Sequence, residues 1–350
     1  MINSINQIVA YIKKESTKFT IKQKYRNTRV DVYSNELYAL KWLENHHVGY
    51  FDNDLDDVAD VVLYGLYENS ENFHTVLNVF SFKDKMKMFF QHEGYYLEEQ
   101  TYKIFYDSKS HYIHIIQENV HFLLILNREL DNFRIIERIQ REILFGCSGP
   151  HIRFHAASIC NDYNEGTLIV GYKGIGKTTL SLGAIAKGAK FGANDRTEVY
   201  ANKYMQIRYC GVPTSVRLSE EQVRYFQQKL GKRIKPELFD DLGVINNKIE
   251  YTSQEISQYF NTEIRNNGIL KNIVIPKFSL EPIKVTEVVD TTYIYEVLYE
   301  NTFLIDKAFL PYFISNINDY SGELLFHIIE QTKCYVVEGW LYDFNINMIL

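Results

Sequence analysis

Along the first 147 residues the apolar positions change period twice. Ile5, Ile8, Val9 and Ile12 recur at helical spacing, which predicts a short amphipathic helix over residues 2–14. From Thr101 to Asn127 the period falls to two, in Tyr102–Tyr106, Tyr112–Ile116 and Val120–Leu126. Asp107-Ser-Lys-Ser110 and Glu118-Asn119 stand between these runs as turn chemistry, so a three-stranded antiparallel meander is expected. A helix follows, with Asp131 as its N-cap, Ile136, Ile139 and Ile143 on one face, Glu137 and Arg141 four apart, and Gly146 as its stop. Cys147-Ser-Gly-Pro150 reads as a boundary, giving an α+β domain over 1–147 and a second domain over 148–350.

Beyond the boundary the nucleotide-binding domain is expected. Residues 151–160 read as a strand, Asp162–Gly166 as a turn and Thr167–Val170 as a buried strand. A helix opens at Thr178, turns Leu180, Ala184 and Ile185 inward and ends near Lys187-Gly188. The strand Lys190–Ala193 then delivers Asn194, Asp195 and Arg196, on a segment expected to return beside the loop. Further on, Ser219-Glu-Glu-Gln222 spells a capping box and Gly231 a helix stop. Residues 232–236 form a basic helix end, strands are expected over 246–251, 272–275, 283–289 and 335–337, and a helix over 322–332.

Between the Thr167–Val170 strand and the Thr178 helix lies Gly171-Tyr172-Lys173-Gly174-Ile175-Gly176-Lys177-Thr178-Thr179, which satisfies G-x-x-x-x-G-K-[ST] in the strand–loop–helix context that motif requires. Gly171, Gly174 and Gly176 let such a loop curl so that backbone N–H groups face phosphate oxygens, with the helix N-terminus adding its positive end. Lys177 then reaches the β- and γ-phosphates, the Thr178 hydroxyl suits Mg²⁺, and the Asp195 carboxylate can meet either Mg²⁺ as a ligand or the attacking hydroxyl as its base. ATP, or another nucleoside triphosphate, with Mg²⁺ is the expected cofactor pair.

Composition narrows the remaining choices. A hydrophobic fraction of 46% and a charged fraction of 23% are those of a soluble globular protein, and a net charge of -6 argues against a general nucleic-acid binder. The 27 tyrosines and 22 phenylalanines are spread along the chain and read as packing residues rather than a base-stacking platform. The four cysteines form no C-x-x-C pair, and no run approaches a membrane span, so a cytoplasmic protein with no membrane partner is expected. Asp52, Asp54 and Asp56 open like a calcium loop, but Asp57 and Leu63 stand where Gly and Glu are needed.

His155-Ala-Ala-Ser, the Gly171–Thr179 loop, Lys187-Gly188-Ala-Lys and Asn194-Asp195-Arg196-Thr-Glu-Val together resemble the core of the HPr kinase/phosphorylase-like kinases. That resemblance implies an α/β P-loop kinase domain of the HPr kinase and phosphoenolpyruvate carboxykinase-like type; the N-terminal domain, which shows no catalytic motif, is expected to recruit or orient the acceptor. It implies transfer of the γ-phosphoryl group of ATP to a Ser/Thr-type hydroxyl on a peptide or protein, as in peptide natural-product modification. By the same resemblance His155 faces the loop, and Arg196 and Arg217 stabilise charge; a hydrogen-bonded strand-end histidine and solvated arginines are the plainer readings. Two departures stand out. The family's aspartate pair is Asn194-Asp195 here, and an amide does not accept a proton as a carboxylate does. The glycine-rich segment downstream is replaced by Cys210–Leu218, so HPr itself is not the expected substrate. A nucleotide-binding regulatory protein with little transfer activity and a small-molecule kinase remain alternatives, and homo-oligomerisation stays open.

Overall fold

A computed structural model describes residues 3–52, 58–87, 92–127, 132–147, 151–232, 234, 248–302 and 321–349. Asp54, Asp56, Asp131, Ser148–Pro150, most of the 232–236 cluster and residues 246–247 lie outside these. The described residues fall into two units, one drawn from 1–45 and 51–149, the other from 46–50 and from 150 onward.

In the first unit the meander seen in the sequence is the middle of a much larger sheet. β6 (Tyr102–Asp107), β7 (Tyr112–Gln117) and β8 (Val120–Leu126) pair antiparallel in turn, through Ile104↔Ile115 and Ile113↔Leu124. β1 (Phe19–Tyr25), β2 (Thr28–Ser34), β3 (Val61–Glu68), β4 (Asp84–Lys87) and β5 (Glu93–Glu99) complete eight strands in the order β1-β2-β3-β8-β7-β6-β5-β4. β3 is parallel to both of its neighbours, so the sheet is mixed. Ile5, Ile8 and Ile12 of α1 (Ile5–Ser16) pack with Phe73 and Val76 of α3 (Ser70–Leu77) against Ile104, Ile113 and Leu124. These are the apolar positions that recur every three or four residues on the helix and every second residue on the strands. α2 (Leu37–His47) lies between β2 and β3 in sequence, and in α4 (Arg134–Cys147) the expected Glu137–Arg141 ion pair forms at 2.6 Å.

The second unit is built on a mixed sheet whose path runs β12-β10-β11-β17-β14-β13-β9, with β19 joining β17 to β18. The stretch 151–160, read as one strand, is two. β9 (Ile152–Phe154) pairs with β13 (Thr197–Ala201), whereas β10 (Ala156–Cys160) pairs with β11 (Glu165–Val170) and β12 (Lys190–Ala193). The break between them falls at His155. β11 is antiparallel to β10 on one side and parallel to β17 (Asn267–Phe278) on the other, and β17 is parallel to β19 (Lys333–Gly339). β14 (Ile207–Gly211) and β18 (Lys284–Val288) pair antiparallel with β17 and β19.

Strand alternation divides this unit into two cores. Ile169 joins Leu180 and Leu182 of α5 (Lys177–Ile185) in one, while its neighbours Leu168 and Val170 join Ile294, Leu298, Leu325 and Ile328 in the other. The second set comes from α8 (Thr291–Glu300) and α9 (Ser321–Gln331), so helices cover both faces of the sheet. β15 (Val216–Ser219) and β16 (Lys248–Tyr251) form a separate ribbon. It leads into α6 (Glu220–Leu230), where Ser219 and Gln222 form the expected capping box and Gly231 ends the helix at φ 64°. A second capping box, Thr252 with Glu255, opens α7 (Ser253–Phe260).

Candidate active site

The register of three strands sets the site. Ala156 lies opposite Val170, which puts His155 level with Gly171 at the edge where β11 gives way to the glycine-rich loop. On the far side of β10, Ser158 lies opposite Ala193, so Asn194, Asp195 and Arg196 emerge at the same edge. β10 lies between β12 and β11 and is antiparallel to both, so the end of β12 reaches the edge of the loop without pairing with β11. The same corner brings His155 and Asp195 together, with Nε2 2.9 Å from Oδ1. The His155 N–H donates to the carbonyl of Asn301 at 2.7 Å, fixing the backbone where the two strands part.

Gly171, Gly174 and Gly176 adopt φ of 143°, 88° and 107°, values that side chains disfavour, so the curl expected of the loop is present. α5 begins one residue earlier than read, at Lys177, with Gly176 as its N-cap. The Lys177 ammonium is buried and donates to the carbonyl oxygens of Gly171 at 2.5 Å and Tyr172 at 3.2 Å. Burial lowers its pKa, partly opposed by the charge of Asp195, so the two groups sense each other. Thr178 is half-buried, and Thr179 is buried with its hydroxyl accepting from the Gln222 side chain at 2.9 Å. Tyr172, Lys173 and Gly174 are exposed, Ile175 half-buried, and the Tyr172 hydroxyl hydrogen-bonds Glu300.

Asp195 carries the electrostatic signature of the corner. Burial raises its carboxyl, but the hydrogen bond and charge of His155, followed by Arg196 and Lys177, outweigh burial and hold it below the ordinary carboxylate range. Asn194 is buried, and its amide donates to the Ser215 carbonyl at 3.4 Å while Oδ1 has no hydrogen-bond partner among the described residues. Arg217 does not join the group: it lies on β15, with Glu250 of β16 opposite it in register and its guanidinium 3.8 Å from that carboxylate. Glu198, fully buried three residues beyond Asp195, binds Arg153 at 2.8 Å and ties β13 to β9.

No family model matches the chain, and no curated protein matches it. One solved structure it is similar to is the Hpr(Ser) kinase/phosphatase from Coxiella burnetii. The match covers 37% of this chain at 17% identity and a TM-score of 0.23, and spans 60% of the length of that one. At that distance residue roles rest on this chain's own geometry.

That geometry is a buried ammonium on a curled glycine loop, with a histidine-held carboxylate at the same sheet edge. Among the described residues no cluster of three or more His, Cys, Asp or Glu side chains could hold a metal ion by itself. A cation arriving on a phosphate chain needs less, since Mg²⁺ usually takes one or two carboxylates and completes its shell with phosphate oxygens and water. Thr178 and Asp195 fit that smaller demand. Sequence reasoning missed Asn301 and Glu300, and it read Gln222 only as part of a capping box; their contacts with the site join segments far apart in the chain, which no local motif announces. Among the described residues no helix is long and apolar enough to cross a membrane.

Proposed function

We propose that this chain is an ATP-dependent kinase that transfers the γ-phosphoryl group to a hydroxyl on a peptide or protein acceptor. One observation carries the proposal: the His155–Asp195 pair, at 2.9 Å, stands at the same strand edge as the loop that holds Lys177. Phosphoryl transfer demands mainly positioning and neutralisation of charge on the transferred group, and these residues have that character. Lys177 leaves its loop carbonyls for the phosphate oxygens, a stronger, charge-assisted partner. The glycine loop supplies N–H donors, and Thr178 and Asp195 are the residues that would hold Mg²⁺, which neutralises phosphate charge when bound. Asp195, with its lowered pKa, is better suited to holding positive charge than to taking up a proton. His155 keeps that carboxylate oriented, and Arg196 adds to the positive field around it. The acceptor class follows the sequence resemblance, and recruitment of the acceptor by residues 1–147 follows from the lack of catalytic motifs there.

Label transfer from γ-labelled Mg·ATP tests this, with the wild type and Lys177→Ala offered a cell extract and peptides encoded beside the gene. Label on a discrete acceptor with the wild type alone is the expected result. Asn194 favours a second reading, a nucleotide-binding protein without transfer, because its buried amide stands where the resembling family carries a carboxylate. Tight Mg·ATP binding with no labelled acceptor would select that reading.

A further inference from the structure

The loop has two flanks of different chemistry. On the β10 side stand His155 and Asp195, whose charge reaches Lys177. On the other side β17 and β19 run parallel to β11, so their C-terminal ends reach the same edge of the sheet, where ligands of open α/β sheets bind. Those ends carry aromatic side chains. Phe278, the last residue of β17, is 50% exposed, and its ring lies 5.5 Å from that of Trp340, which follows β19. Trp340 is half-buried and backed by Tyr342 at 4.9 Å, which in turn meets Tyr225 at 4.1 Å. A single exposed phenylalanine is ordinary on a protein surface. This one lies beside the loop: a Cβ placed on Gly176 would meet Leu341 first and lie 3.9 Å from the Phe278 Cβ.

We infer that Phe278, supported by Trp340, is the stacking surface for the base of the nucleotide whose phosphates the Gly171–Thr179 loop holds. The inference rests on the kinase reading of that loop and extends it by orienting the ligand. The terminal phosphate faces His155 and Asp195 on the β10 flank, and the base lies on the β17–β19 flank. Tyr342 backs the stack from the 3-10 turn Leu341–Asp343, which packs on α5, so loop and platform are held by one piece of chain. Every base has a π-face, and a ring without hydrogen-bond donors reads no exocyclic group, so the platform accepts ATP and GTP alike.

Calorimetric titration of the wild type, Phe278→Ala and Phe278→Tyr with Mg·ATP, and separately with Mg·tripolyphosphate, tests the inference. The expected result is that Phe278→Ala weakens ATP about tenfold or more, leaves tripolyphosphate unchanged, and that Phe278→Tyr restores the wild-type value. Equal affinities of wild type and Phe278→Ala for ATP would overturn the stacking role while leaving the loop reading intact. Equal losses for both ligands would also overturn it, by showing that Phe278 acts on the shape of the loop. A wild type that binds neither ligand would remove the loop reading and this inference with it.

Discussion

Two histidines in this protein meet a ring or carboxylate partner at nearly the same distance, and the two pairs behave in opposite ways. His114 and His121, on β7 and β8 of the first unit, are buried with His114 Nε2 3.0 Å from His121 Nδ1. Burial pushes His121 down to about 3 and, together with the neighbouring imidazole, lowers His114 well below its usual value. Both therefore stay neutral and serve as polar packing inside a sheet. The His155 and Asp195 side chains are 32% and 44% exposed, and there the carboxyl is held low by its partners instead. The distance between two titratable groups says little about their use; what surrounds them decides whether charge is suppressed or kept.

The contrast breaks most visibly at Asp195. Asp195→Asn should lower label transfer by about a thousandfold while the urea midpoint at neutral pH falls only by the small share of stability the depressed carboxyl contributes, if the carboxylate serves mainly the chemistry. The buried pair predicts the reverse pattern. A histidine whose folded pKa lies below its unfolded one binds fewer protons in the native state, so stability falls as the pH drops below about 6.5. At its steepest that slope is about 1.4 kcal/mol per pH unit for each such histidine. Urea unfolding at pH 7 and pH 5 should show the loss, and His121→Gln should flatten the slope without changing the transfer rate.

Smaller effects sharpen the comparison. His155→Ala removes the largest influence holding Asp195 down, so its carboxyl climbs and protonates at higher pH. The acid limb of the transfer profile should shift upward, with a rate loss of about tenfold at neutral pH. The linked stability has the same sign: the contribution of a depressed carboxyl is present above its unfolded pKa and is lost as the pH falls through the folded one. Last, Asn194→Asp puts a carboxylate where an amide now donates to the Ser215 carbonyl, beside the charge of Asp195. A destabilisation of about 1 kcal/mol, read from the urea midpoint, is expected. A rise in transfer rate would instead mark the amide as the feature that holds this chain back.

How far the sequence displayed all this differs by region for physical reasons. The meander at 102–126, the Thr167–Val170 strand and the Ser219 capping box were readable because each couples a clear period to local turn or cap chemistry. β1, with the pattern Phe-Thr-Ile-Lys-Gln-Lys-Tyr, is a polar, partly buried edge strand and gives no such signal. β17 was seen only over 272–275, because Lys271 and Lys277 interrupt the apolar run on either side. The site was half legible. A glycine loop announces itself within nine residues, whereas the meeting of His155 with Asp195 depends on β10–β12 pairing, which carries a register shift at Ser158/Ile159. The aromatic platform looks like ordinary packing in the sequence, since nothing local tells that β17 and β19 end beside the loop.

Gly183 sits in α5 where a Cβ would come within 2.8 Å of the carbonyl oxygens of Leu341 and Tyr342. Viewed from biosynthesis, that close approach sets a clock. The helix behind the loop leaves the ribosome well before residues 341–343 are made, and at about 5–20 residues per second the interval is on the order of ten seconds. Until then α5 lacks the backbone it is shaped to meet, and the apolar side of the helix has to wait among the exposed surfaces of an unfinished chain. The packing of α5 is thus completed only after a segment far downstream of it has been made.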